Sequence, residues 1–248
     1  MSNDLDTCSQ EPIHVPGAIQ PHGVLVGLDD DALVRCVSAN VAQLGCGAPA
    51  EVLDRPFTAQ CGGDSREALE QLIERVRADD VARSSMIHTG APAFWWNVNV
   101  HRCDGLSIVE FEPAFAPPEQ TTALMYGDVD NITQRLEGQT TIADLGALLT
   151  HELRALTGMD RVMVYRFGHD WHGEVIAEAR APDMEAFLGL HYPASDIPAQ
   201  ARRLFERSPV RVIVDVDYQP VPLVASAVRD RPVDLGLSQL RSVSPVHL

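Results

Sequence analysis

The sequence predicts an α+β protein in which antiparallel sheets carry flanking helices, in two successive domains. Three observations predict it. Apolar runs of strand length recur between turn residues. Two longer stretches, after Asp64 and across 142–156, have helical spacing. Between the halves lies Pro113 to Thr121, rich in Pro and without periodicity, which reads as a linker. At roughly 150 residues per domain, 248 residues suit one or two domains and can bury a real core.

In the first half, Val24 to Leu28 and Leu33 to Ser38 are short apolar runs separated by Asp29, Asp30 and Asp31, as in a hairpin. Asp64 with Glu67 resembles a capping box that opens a helix through about Arg77. Residues 94–102 alternate after Trp96, and Leu106 to Phe111 follow, giving two more antiparallel strands. In the second half, Ile142, Leu145, Leu149, Leu153 and Leu156 share one helical face, and Gly158 follows as the stop. Strand-like runs then occupy Arg161 to Phe167, Glu174 to Ala179 and Arg211 to Val216. A helix from Ala199 to about Arg207 begins after Pro198.

Composition removes several function classes. The net charge of −16 argues against a phosphate backbone as the main partner. No 18-residue apolar run spans a bilayer, and the polar, acidic N-terminus has no secretory core, so a cytoplasmic location is expected. All 19 basic residues are Arg. Without Lys there is no Walker-A loop, kinase strand lysine, Ser-x-x-Lys acylase or Schiff base, whereas Arg offers a planar fork suited to carboxylates. The five cysteines, Cys8, Cys36, Cys46, Cys61 and Cys103, include no Cys-x-x-Cys pair and read as free thiols.

Several enzyme motifs fail. His151-Glu152 opens like a zinc-protease helix, but Ala155 stands where the second ligand belongs. His169 and His172 around Asp170 read as a solvent-facing turn; a metal-dependent hydrolase built on them is a distant rival, and no metal is expected. Asp215 and Asp217 share a strand face with no substrate assigned. No nucleophile elbow or dinucleotide-binding glycine loop occurs.

Four separated segments are informative. The first runs from Cys8 through Glu11-Pro12-Ile13-His14 to Ile19-Gln20-Pro21-His22-Gly23; its three Pro and two Gly make it stiff and irregular. In the second, Asp160 to Phe167, Tyr165 shares a strand face with Met163 and Phe167. The third, Tyr192-Pro193-Ala194-Ser195-Asp196-Ile197-Pro198, holds a carboxylate on a rigid corner before a helix. The fourth is Leu240-Arg241-Ser242-Val243-Ser244-Pro245-Val246-His247. Together they resemble the PAS–GAF photosensory region of bacteriophytochromes, and the resemblance covers nearly the whole chain.

The resemblance implies a leader at 1–14, a PAS domain at 15–112, a linker at 113–121 and a GAF domain at 122–248 whose C-terminal end is missing. It implies a red/far-red photoreceptor that binds biliverdin, a linear tetrapyrrole with two propionates, and signals by photoisomerisation. Cys8 matches the thiol that forms a thioether with the chromophore. Arg211 and Arg241 match propionate-binding positions, and Asp196, Ile197 and Pro198 match the corner near the pyrrole N–H groups. Met163, Tyr165 and Tyr192 match pocket walls, as does Ile19, while Ser244 and His247 match groups near a propionate and the inner pyrroles. Phe205 departs from the Tyr found in several members and lacks its hydroxyl.

The implied partners are biliverdin, a second copy through the GAF helices, and PHY and histidine-kinase output domains in a longer protein. The region itself is expected to be a sensor rather than an enzyme. The alternative reading is a chromophore-free PAS–GAF module that docks partners or dimerises, with Cys8 idle.

Overall fold

The computed structural model of the chain describes residues 11–57, 64–90, 93–114 and 129–243. Cys8, Cys61, Ser244 and His247 lie outside the described residues, as does the side chain of Asp64 with its expected cap. The elements are mixed α and β, and all strand pairs are antiparallel. They fall into two compact units, residues 1–117 with 199–248, and residues 118–198.

The first unit is built on a seven-stranded sheet. Its strands are β1 (Ala18–Ile19), β2 (Val24–Leu28), β3 (Val34–Ser38), β4 (Arg83–Gly90), β5 (Ala93–Cys103), β6 (Leu106–Pro113) and β10 (Val221–Ala225), in the order β1-β10-β3-β2-β6-β5-β4. The β2–β3 turn forms where three acids predict it. The carboxylate of Asp29 accepts from the backbone N–H groups of Asp31 (3.0 Å) and Leu33 (2.9 Å), and its other oxygen pairs with Arg35 at 2.6 Å. The β5–β6 hairpin closes on Asp104 and Gly105, both at positive φ (53° and 74°), as a two-residue primed turn requires.

One face of this sheet is covered by helix α2 (Asp64–Asp79), whose Leu69, Leu72, Ile73 and Val76 meet Val24, Val26, Trp96, Val98 and Phe111. A one-turn helix α1 (Pro49–Val52) adds Val52 to the same core. The opposite face carries Leu25, Cys36, Leu106 and Ile108, and it is covered by Ile19 with Val233, Leu235 and Leu240 from the far end of the chain. Burial on both faces explains why β2 is apolar throughout instead of alternating.

The run Arg211 to Val216, expected as a strand, is irregular. Its Val212, Ile213, Val214 and Val216 are all exposed, so its alternation matches no buried face. The seventh strand is instead β10, which pairs Leu223 with Ser38 and Pro222 with Ala18. Pro222 lowers its strand signal, but here that residue faces only a two-residue partner strand. Ahead of β10 in the chain lies helix α5 (Ala199–Arg207), which buries Leu204.

The second unit contains helix α3 (129–137), helix α4 (Ile142–Thr157) and a three-stranded sheet of β7 (Arg161–Phe167), β8 (Gly173–Arg180) and β9 (His191–Tyr192). Helix α4 is capped at both ends. Thr141 Oγ1 accepts from the Asp144 N–H, and Gly158, at φ 70°, donates its N–H to the Arg154 carbonyl. Its buried positions are Gly146 and Thr150, and a Cβ on Gly146 would lie 2.9 Å from the Ala177 methyl group on β8. Ile142, Leu145 and Leu156, which share one helical face in the sequence, are exposed, because the close approach of α4 to β8 uses the small residues. No helix among the described residues is long and apolar enough to cross a membrane.

Gly23 tests the second-face packing. A Cβ there would sit 2.5 Å from Leu240 Cδ2 and 2.7 Å from the Phe111 carbonyl, and the latter is backbone that cannot swing away. Gly23→Ala should cost about 1–3 kcal/mol in denaturant unfolding through overpacking; an unchanged midpoint would show that the far end of the chain does not press on this face.

Candidate functional site

Residues 11–20, which run from the leader into β1, are positioned by backbone bonds to the chain's last described stretch. His14 and Ala18 carbonyls accept from the N–H groups of Leu235 (2.7 Å) and Ser242 (3.1 Å), and the Gln20 N–H donates to Leu240 at 2.8 Å. Ile19 bridges to Arg241. On the other side, the Gln20 side chain donates to the Val212 carbonyl (2.8 Å) and accepts from the Val214 N–H (3.2 Å). Residues 14–20 are therefore bonded to both the 212–214 and the 235–242 stretches.

These bonds bring Arg211 and Arg241 to one cavity of about 190 Å³, lined also by Ile13, Leu204, Phe205 and Val243. Arg241 donates one guanidinium N–H to the Ile13 carbonyl at 3.0 Å, but its Nε is buried with no partner. Arg211 Nη1 is likewise buried and unpartnered. Burial makes both cations costly: it lowers the pKa of Arg211 and, with repulsion from Arg211, takes that of Arg241 down to about 10. Arg does not lose its proton in proteins, so the cavity presents two under-paired cations on an apolar lining. That donor set fits an apolar group bearing carboxylates. Phe205 lines this cavity without a hydroxyl to offer.

A buried carboxylate fixes the stretch before Arg241. Glu110 on β6, fully buried, accepts from the Ser238 hydroxyl, from the Gln239 N–H at 3.1 Å and from the Leu240 N–H at 2.8 Å. Even so, burial outweighs these bonds and pushes its pKa up to about 7. His101 Nδ1 lies 3.8 Å away, and burial takes that imidazole down to about 4. Tyr218, also buried, accepts the Val243 N–H at 2.6 Å on the far side of the arginine.

In the second unit, Tyr165 on β7 and Tyr192 on β9 have ring centroids 6.1 Å apart, and Phe167 meets Tyr165 edge-on at 5.2 Å. Tyr165 lies across Gly173, where a Cβ would fall 1.6 Å from its Cζ, so only glycine fits beneath the ring. Burial, then the charges of Asp196 and Tyr192, raise the pKa of Tyr165. Asp196 is exposed, its N–H turned back to the Pro193 carbonyl at 3.1 Å, while Ile197 and Pro198 are half-buried. Met163 is exposed. His172 pairs with Asp170 and stacks on His191, and no cluster of three metal-ligating side chains occurs among the described residues.

Of the residues singled out in the sequence, Arg211 and Arg241 thus meet at one cavity in the first unit, and Tyr165, Tyr192 and Asp196 gather in the second. Ile19 is fully buried in the core on the sheet's second face. Gln20, Glu110, Ser238 and Tyr218 were not singled out as site residues. The one visible signal among them is Glu110, an acid inside an apolar run.

Known proteins share this architecture. A family profile described as the PAS fold matches residues 8–114. The chromophore-binding domain of the Stigmatella aurantiaca bacteriophytochrome, a mutant in the Pr state, superposes with a TM-score of 0.89 at 36% identity, over 97% of this chain and 80% of that one. That of an unusual bacteriophytochrome from R. palustris gives 0.84 at 36% identity, over 97% and 78%. Bacteriophytochromes of Xanthomonas campestris and Pseudomonas aeruginosa are each 40% identical, over 99% and 98% of this chain. The matched regions are 39% and 33% of those relatives, so the chain spans about a third of the length of the curated relatives it matches. The chain belongs to the bacteriophytochrome family.

The clamp on residues 238–240 has a pH signature. Because the folded-state pKa of Glu110 is raised, its contribution to stability is fully present below about 4.5 and is lost as pH rises to about 7. The depressed His101 acts oppositely, costing stability as pH falls from 6.5 toward about 4. Comparing Glu110→Gln with the parent isolates the first effect: the stability difference should move in the variant's favour between pH 4.5 and 7, read by thermal melts. A difference that stays constant with pH would mean that Glu110 does not titrate there.

Proposed function

We propose that the chain is the photosensory region of a red/far-red light receptor that holds biliverdin covalently. The observation that carries this reading is the cavity of Arg211 and Arg241, with two buried guanidinium nitrogens lacking partners on an apolar lining. Each arginine pairs with one propionate of the bilin. Cys8 precedes Ile13 by five residues, so its thiol stays within about 20 Å of that cavity even on a fully extended chain. The Cys8 sulfur adds to the ring-A vinyl group, forming one S–C bond while the thiol proton passes to the other vinyl carbon.

When bound, the bilin supplies light absorption and isomerisation about its C15=C16 bond. Residues 15–112 act as a PAS domain and 122–248 as a GAF domain, joined by the linker 113–121 and preceded by the leader 1–14. Met163, Tyr165 and Tyr192 form a wall around the isomerising ring; Asp196 with Ile197, Pro198 and His247 meets the pyrroles, and Ser244 a propionate. Ile19 adds an apolar contact to the bilin. The altered pocket then shifts a two-state equilibrium. PHY and histidine-kinase domains of a longer protein read that shift, while this region is a cytoplasmic sensor without catalysis of its own. The exposed Ile142, Leu145 and Leu156 of helix α4 support self-association through that helix.

Biliverdin added to the purified chain should give a far-red band that changes reversibly on illumination. Zinc-induced bilin fluorescence should follow the protein on a denaturing gel and be lost in Cys8→Ser. Arg211→Ala and Arg241→Ala should each weaken binding by about tenfold or more. A spectrum that remains that of free biliverdin would overturn the reading.

A further inference from the structure

We infer that Gln20 sets the separation of Arg211 and Arg241, and is thereby a positioning residue that makes the cavity selective for a ligand with two carboxylates. The inference rests on the bilin-binding reading above. Gln20 is 1% exposed, and its polar groups reach the stretches that carry both arginines. Its side-chain nitrogen donates to the carbonyl of Val212, immediately after Arg211, and its oxygen accepts from the N–H of Val214. Its backbone N–H donates to Leu240, immediately before Arg241, whose own carbonyl lies 3.5 Å from the same side-chain nitrogen.

The stretch around Arg211 has neither helix nor strand ladder to hold it, and its apolar side chains are exposed. A loop without such supports takes its position from the few fixed groups it is bonded to. Gln20 is such a group, because its own backbone continues the β1 strand. Both halves of the amide are required. A carboxylate at this position can accept from Val214 but cannot donate to Val212, and an isosteric thioether cannot donate and accepts only weakly. Arg211 acts on the ligand; Gln20 acts through Arg211 and Arg241.

The test uses the full chain, with Gln20→Met and Gln20→Glu, and two probes, biliverdin and biliverdin dimethyl ester, which differ only in the methyl esters that remove the two propionate charges. The parent should prefer the diacid by about tenfold or more, and Gln20→Met should shrink that ratio by about fivefold or more, with Gln20→Glu between them. Hydrogen exchange of the apo proteins supplies a ligand-free readout. In Gln20→Met, amides of 211–216 should lose protection while those of β10 (Val221–Ala225) keep it. An unchanged ratio, or protection lost evenly across the unit, would overturn the inference and leave Gln20 a plain core residue. A parent that binds both probes equally would overturn it too, while leaving bilin binding intact. A parent that binds neither would bring down the proposed function, and this inference with it.

Discussion

Among the described residues, the second face of the seven-stranded sheet is covered by irregular chain, and covering it governs the rest of the first unit. Leu25, Leu106 and Ile108 would stand in water if Val233, Leu235 and Leu240 did not return over them. Burying apolar surface at roughly 25 cal/mol per Å² is a drive that a loose surface loop lacks. Once that stretch lies on the sheet, β10 inserts beside β3, Glu110 finds its three donors, and Arg241 is delivered next to the leader. The cavity with the two arginines is therefore a by-product of core formation, not a pocket added to a finished domain.

That origin explains the electrostatics. A chain with a net charge of −16 has acids in excess, yet two guanidinium groups in this cavity keep buried nitrogens without partners. Other buried or half-buried arginines have a carboxylate beside them, as Arg35 has Asp29 and Asp54, and as Arg161 and Arg229, whose Nε atoms also lack hydrogen-bond partners, have Glu178 and Asp104. Withholding a counter-charge at one place in an acidic protein is costly unless a ligand supplies it. Glu110 lies on the same sheet and is engaged by Ser238, Gln239 and Leu240.

How far this could be read from the sequence depended on range. The acid-rich β2–β3 turn and the Thr141 and Gly158 caps of α4 are local devices, and their residues announce them. The β10 strand was hidden by Pro222, and the 211–216 stretch was mistaken for a strand because alternation reports a face without saying whether anything covers it. On the site, Arg211 and Arg241 stood out only through likeness to a family, since nothing local predicts that they share a cavity. Gln20 lay inside a recognised motif, but its partners are 192 and 194 residues away, beyond any periodicity. Cys8, Ser244 and His247 lie outside the described residues.

The pairing of Ala18 with Pro222 and of Ile19 with Val221 has a temporal meaning. Ala18 and Ile19 leave the ribosome well before their strand partners Pro222 and Val221, which follow roughly 200 residues later. Contacts between such distant positions carry a large loop-closure entropy and slow the search for the native state. The core on the helix-covered face can form early from local hairpins, whereas the arginine cavity must be among the last parts to assemble. During synthesis the nascent chain thus exposes an uncovered apolar sheet face until Val233, Leu235 and Leu240 have emerged, and a chaperone can act on that face in the interval.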